Sequence, residues 1–171
     1  MANPVFEAAR TILSVRDYQA KPIPDDVVSR IVDAGRFTAS GRNTQPWHFV
    51  VVRERENLRT LGLLVKTGPY IAKAALAIVV AYEKDHPLAI ADTSRAIQSM
   101  MLVAWGDGVA SNWTGFAGGL TAVAKHVGLP DRYDVLAVVP FGYPARAVKG
   151  VKTRKARGEV ASAERFGTPF S

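Results

Sequence analysis

The stretch from Ala89 to Asp107 constrains the chain most. It reads as one helix, and from Ile97 to Trp105 it is apolar on almost every side, interrupted only by Gln98 and Ser99. A surface helix carries a single apolar stripe, whereas one that is apolar all round must be covered on more than one side. The chain has 171 residues, enough for one compact domain with a core. In a domain this small, a second copy of the chain is one source of the remaining cover.

The other segments supply the wrapping. Residues 3–13 read as a short amphipathic helix, with Val5, Ala8, Ala9 and Ile12 at helical spacing. Pro22-Ile23-Pro24-Asp25 is a helix start, and Val27, Val28, Ile31, Val32 and Gly35 place one apolar face on a helix reaching about Thr38. Ser40-Gly41-Arg42-Asn43 reads as a loop, and Pro46 keeps Gln45 extended. Trp47–Arg53 and Ala75–Tyr82 read as buried strands, with a surface helix over Glu54–Lys66 between them. A weaker helix spans Gly119–Val127, and Val135–Tyr143 is a third strand. Pro140 removes a ladder donor, which predicts an edge position or a bulge for that strand. Strands separated by helices give an α+β sandwich of helices around a sheet.

Several classes of protein fall away. The segment Met1–Glu7 has no basic start and no long apolar run, so it is not a signal peptide. The longest apolar run, Ala74–Tyr82, is far shorter than the ~20 residues that span a bilayer. With no cysteine there is no disulfide, thiolate metal site or cysteine nucleophile, and a cytoplasmic location is the default expectation. The net charge of +7 is uneven: residues 140–171 carry seven Lys/Arg against Glu159 and Glu164, which leaves +2 for the rest. On charge alone that cluster reads first as a solvated tail, with a bound phosphate or a polyanion as alternatives. No aromatic residue interleaves the basic positions from 146 to 157, so a nucleic-acid module ranks last.

His48, His86 and His126 are scattered and make no metal or hydrolase pattern. Gly115-Phe116-Ala117-Gly118-Gly119 is glycine-rich, but it is neither a phosphate-binding P-loop nor a dinucleotide fingerprint. An enzyme built from this sequence therefore relies on a cofactor for its chemistry.

Three separated segments carry a more specific signal: Ser14-Val15-Arg16-Asp17-Tyr18 with Pro22-Ile23-Pro24 close behind; Ala39-Ser40-Gly41-Arg42-Asn43-Thr44-Gln45-Pro46-Trp47-His48-Phe49; and Lys152-Thr153-Arg154-Lys155. In this order they resemble the flavin-dependent nitroreductase family. Asp92–Leu102 resembles that family's central helix, and Gly142-Tyr143-Pro144 its turn after the third strand. The resemblance runs from about Phe6 to Val160.

The resemblance implies a nitroreductase-like fold: a central, mostly antiparallel sheet covered by helices, in a homodimer. Residues 1–144 would form the domain and 145–171 an arm packed on the partner subunit. It implies bound FMN, reduced by NADH or NADPH and reoxidised by an electron-poor acceptor such as a nitroaromatic or a quinone. No side chain is then required as nucleophile or general base, and no catalytic residue is assigned. Arg16 would lie near the pyrimidine edge, where a cation stabilises anionic reduced flavin; its plain alternative is a solvated pair with Asp17. Ser14 would donate to the phosphate or ring edge, unless it merely ends a helix. Ser40, Asn43 and Gln45 would reach the other subunit's flavin, although turn chemistry satisfies them unaided. Trp113, Thr114 and Gly115 resemble the segment that lies beside the ring and aims a backbone N–H at its reactive nitrogen; a plain turn is the alternative. Lys152 and Arg154 resemble the phosphate clamp of the tail.

Three departures stand out. Many members carry basic residues immediately before the serine, where this chain has Ile12 and Leu13. A charge-assisted hydrogen bond is worth about 1.5–3 kcal/mol, so FMN affinity falls roughly ten- to a hundredfold unless Arg10 or Arg42 compensates. Ala39 stands where the family usually has proline, and little is inserted between the second strand and the central helix. The missing basic pair keeps open a deazaflavin-using member of the same fold, and a flavin-binding protein without turnover is a further reading.

Overall fold

The computed structural model describes residues 3–116 and 119–170. Ala117 and Gly118 of the glycine-rich stretch lie outside the described residues, as do Met1, Ala2 and Ser171. The elements run α1 (Pro4–Thr11), α2 (Asp25–Arg36), β1 (Trp47–Val52), α3 (Arg55–Leu64), β2 (Leu76–Glu83), α4 (Ala89–Gly106), β3 (Ala110–Ser111), α5 (Thr121–His126), β4 (Tyr133–Gly142) and α6 (Arg157–Val160). Short 3-10 turns at Gly41–Asn43 and Pro69–Lys73 complete the set.

The strands form a four-stranded sheet in the order β1-β2-β4-β3, with each pair antiparallel. β2 is central and covered on both faces, which is why its apolar run is continuous rather than alternating. Leu76, Ile78 and Val80 face α2 and α4, while Ala77 and Val79 face the core beneath α3 and α5. The molecule is thus an α+β sandwich, with helices on both sides of an antiparallel sheet.

Helix α4 lies against one face through Ile97, Met100, Met101 and Ala104. It packs so closely on α2 that a Cβ on Gly35 would stand 3.0 Å from Met100 Cγ and from Phe49 Cζ. Its other side is not fully covered: Ile90 is 41% exposed, and Leu102, Val103 and Trp105 are half-buried. α1 has no buried residue and leaves Phe6 62% exposed. Trp105 Nε1 donates to Thr11 Oγ1 at 2.9 Å, which ties α1 to the C-terminal half of α4.

The expectation for Pro140 is corrected. β4 is an interior strand, paired with β2 on one side and β3 on the other. Its register shift lies between Val80 and Ala81, where Leu136 is the extra residue, four positions from the proline. Pro140 is tolerated because of what faces its missing N–H. Ser111 pairs with Phe141, and Thr114 exchanges both backbone bonds with Val138 at 3.1 and 2.9 Å. That register sets Pro140 opposite Asn112, with its nitrogen turned toward the third strand. The ladder opens there, so β3 stops at Ser111 and contact resumes only at Thr114.

Candidate functional site

At the end of α4 the chain turns into β3, and Ser14 forms a parallel bridge with Ser111 while the Val15 N–H donates to Ser111 O at 3.0 Å. This brings the residues after α1 beside the gap that Pro140 opens. Tyr18 is then buried against Gly142, where a Cβ would stand 2.8 Å from the tyrosine ring. The Tyr18 hydroxyl donates to Val15 O at 2.6 Å, and burial pushes its pKa up. Ser14 and Arg16, held between these anchors, are exposed.

Within the gap, Asn112 and Thr114 are 2% and 1% exposed, so their polar groups need partners inside the protein. The Asn112 amide donates to Tyr70 Oη at 2.6 Å and to Trp113 O at 2.8 Å. Tyr70 Oη and Thr114 Oγ1 are 2.8 Å apart. The Arg16 guanidinium lies 5.8 Å from the Tyr70 ring centroid. Trp113 donates through Nε1 to Gly115 O at 2.8 Å and stacks on Phe116, which is 59% exposed. Gly115 has φ +74°, a conformation that favours glycine, and a Cβ there would meet Leu120 at 3.0 Å. The Thr114 N–H is committed to Val138 O. Among the described residues the Gly115 N–H has no partner, which leaves it as a donor for a ligand.

The tail joins the same end. Lys152 Nζ donates to Ala9 O at 2.6 Å, and Gly150 lies against Leu13. Loss of water, and then the neighbouring Arg154 charge, hold the Lys152 ammonium below the ordinary lysine range, an environment that an anion would relieve. Arg154 is exposed and donates only to Thr153 O at 2.8 Å among the described residues. Of the two proposed substitutes for the lost basic pair, one is already engaged and neither lies in the first group. Arg10 pairs with Glu7 at 2.6 Å, and Arg42 sits in the loop after α2.

That loop forms a second group. Ser40 Oγ accepts the Gln45 N–H at 2.9 Å, Ser40 O accepts the Asn43 N–H at 3.1 Å, and Gln45 Nε2 donates to Asn43 O at 3.2 Å. Arg42, Asn43 and Gln45 all have φ between 50° and 58°, strained for residues with side chains. The expectation that Pro46 keeps Gln45 extended is therefore corrected: Gln45 turns left-handed, held by its N–H bond to Ser40 Oγ. The loop is held by Asp92, a carboxylate only 5% exposed on the first turns of α4, which accepts the Gly41 N–H at 2.9 Å. Asn43 and Gln45 remain exposed.

The structure therefore gathers Ser14, Arg16, Trp113, Thr114, Gly115 and Lys152 at the C-terminal end of α4. It sets Ser40, Asn43 and Gln45 at the N-terminal end. From Asp92 to Gly106 the helix rises about 21 Å, so within one chain the two groups stand apart. Tyr70, Asn112 and Asp92 were not legible as site residues from motifs. The nearest signals were a lone acid on a helix otherwise turned into the core, and an asparagine directly after a buried strand.

The first group fits a phosphorylated flavin by the chemistry of its donors. It offers cations for an anion, an exposed arginine beside a neutral aromatic ring, and a backbone N–H without a partner among the described residues. The nitroreductase family profile matches residues 10–84 and 64–143. A protein of Methanothermobacter thermautotrophicus, provisionally named an NADH dehydrogenase/NAD(P)H nitroreductase, is 32% identical over 148 residues, covering 82% of this chain and 78% of its own. The crystal structure of a protein from Bacteroides thetaiotaomicron, provisionally named in the same way, superposes with a TM-score of 0.88 at 26% identity. That match covers 97% of this chain and all of the other. An FMN-dependent nitroreductase from Clostridium difficile has a TM-score of 0.87 at 21% identity, over 94% and 99% of the two chains, a likeness of fold.

Proposed function

The chain belongs to the nitroreductase family, and from that premise we propose that it is an FMN-dependent oxidoreductase. It takes electrons from NADH or NADPH and passes them to a small electron-poor acceptor such as a nitroaromatic or a quinone. The observation that carries this reading is the meeting of three sequence-distant segments, 14–16, 112–115 and 150–152, at one end of α4.

FMN, when bound, supplies the hydride and single-electron chemistry. The protein's own contribution is binding, orientation and charge. Lys152, Ser14 and Arg154 are the groups to hold the phosphate. Arg16 stabilises negative charge at the ring edge, and Gly115 offers its N–H. Ser40, Asn43 and Gln45 complete the site from the partner subunit, because α4 separates them from the first group within one chain. This makes a homodimer the working unit, with part of 145–171 packed across it.

The test is the visible spectrum of the purified protein, before and after adding FMN, followed by anaerobic addition of NADH and NADPH. Flavin bands that bleach with either nicotinamide are the expected result. Protein that stays colourless and takes up no FMN overturns the reading and moves the deazaflavin alternative ahead. Bound flavin that no nicotinamide bleaches points instead to a flavin-binding protein without turnover.

A further inference from the structure

Arg16 and the 112–115 segment, nearly a hundred residues apart in sequence, meet at the candidate site, and Tyr70 touches both. Its ring lies beneath the Arg16 guanidinium at 5.8 Å, within range of a cation–π interaction. Its hydroxyl sits between Asn112 and Thr114 at 2.6 and 2.8 Å. The amide proton count sets the direction of the Asn112 bonds, whereas either oxygen can donate between Tyr70 and Thr114. The Asn112 amide has two protons, one for Tyr70 Oη at 2.6 Å and one for Trp113 O at 2.8 Å, so its 3.1 Å approach to Thr114 Oγ1 is the weakest of its contacts. The Tyr70 hydroxyl accepts from Asn112 and shares one further hydrogen bond with Thr114 Oγ1. Asn112 and Thr114 are buried, so no water replaces that hydroxyl without rearrangement.

The 112–115 segment depends on this clamp because Pro140 has removed the ladder bond that would otherwise hold Asn112. Gly68, just before the turn that carries Tyr70, allows the close fit: a Cβ there would stand 2.5 Å from Thr114 Cγ2.

We propose that Tyr70 is a positioning residue that couples the two halves of the cofactor cradle, its ring seating Arg16 and its hydroxyl locking Asn112–Gly115. The proposal rests on the flavin reading above. It makes the two halves separable by mutation. Tyr70→Phe keeps the seat for Arg16 and releases the segment; Tyr70→Leu releases both.

Two measurements test it. In protein free of FMN, amide hydrogen exchange at Thr114 should quicken about tenfold in Tyr70→Phe, while exchange at Val79 in the middle of β2 stays unchanged. In FMN-loaded protein, Tyr70→Leu should lower the ratio of reduced- to oxidised-flavin affinity about tenfold beyond Tyr70→Phe, a fall of roughly 30 mV in midpoint potential. Unaltered exchange at Thr114 in Tyr70→Phe overturns the clamp, and equal midpoints in the two variants overturn the coupling to Arg16. Failure of the flavin reading is distinct, because it appears in the unmutated chain as an inability to take up FMN. The coupling then has no cofactor to serve and falls with it, while exchange at Thr114 still decides whether the clamp exists.

Discussion

Asp92 sits on a helix whose neighbours Thr93, Ala96 and Ile97 are fully buried. A carboxylate there is retained only if its charge is used. It accepts the Gly41 N–H at 2.9 Å and an Arg95 N–H at 3.3 Å, so it holds the base of a loop in which Arg42, Asn43 and Gln45 carry positive φ. Left-handed backbone costs roughly 1–2 kcal/mol at each such residue, and the loop persists because bonds from Asp92 and Ser40 over-determine it. Asp92→Ala removes a charged acceptor and leaves the Gly41 donor without its partner, a loss of about 1.5–3 kcal/mol. For a chain of this size that lowers Tm by roughly 3–10 °C. Asp92→Asn keeps an acceptor oxygen and should lose less than half as much. Thermal unfolding of the two variants beside the parent checks the ranking, and an Asp92→Ala protein as stable as the parent refutes the anchor.

At the scale of elements, legibility followed length and periodicity. β2 and α4 are long and strongly patterned, and the observed bounds, Leu76–Glu83 and Ala89–Gly106, lie within a residue of the expected ones. β3 has two residues and the turn at Pro69–Lys73 has five, too few for any period to register. β4 was read correctly as a strand but misplaced in the sheet, because the rule for proline assumes that the neighbouring strand offers an acceptor at every pair. Here the neighbour departs from the ladder at Asn112, and that departure forms part of the candidate site. The motif residues were legible; their supports, Tyr70, Asn112 and Asp92, were not, since each acts through a contact distant in sequence. The seam between the 69–73 turn and the 112–115 segment is tight enough to test directly. Gly68→Ala puts a methyl within 2.5 Å of Thr114 Cγ2 and 2.9 Å of Ile71 Cδ1. Overpacking of this kind costs about 1–3 kcal/mol. The urea midpoint should fall accordingly, and FMN affinity should fall with it because Thr114 is displaced; an unchanged midpoint would mean that the seam is loose.

Across the whole molecule, the division of the candidate site between the two ends of α4 sets the strongest constraint. The first group lies where β3, the tail and the residues after α1 converge; the second is pinned by Asp92 about 21 Å away along the helix. α1 presents Val5 and Phe6 to solvent at 68% and 62% exposure, and α4 keeps Ile90, Leu102 and Trp105 partly uncovered. In the proposed homodimer, a two-fold pairing of such surfaces would bury them and would set the first group of each chain against the second group of its partner. Mixed dimers distinguish this arrangement from a site contained in one chain. Arg16→Ala damages the first group, and Asn43→Gly damages the second while keeping a residue suited to φ 58°. Each variant alone should lose most of its nicotinamide-dependent reduction. Unfolded together in equal amounts and refolded, half of the dimers would carry both changes in one site and neither in the other, restoring about a quarter of the parent activity. If both groups served a site within one chain, every site in the mixture would still carry one change, and the activity would stay at the average of the two variants.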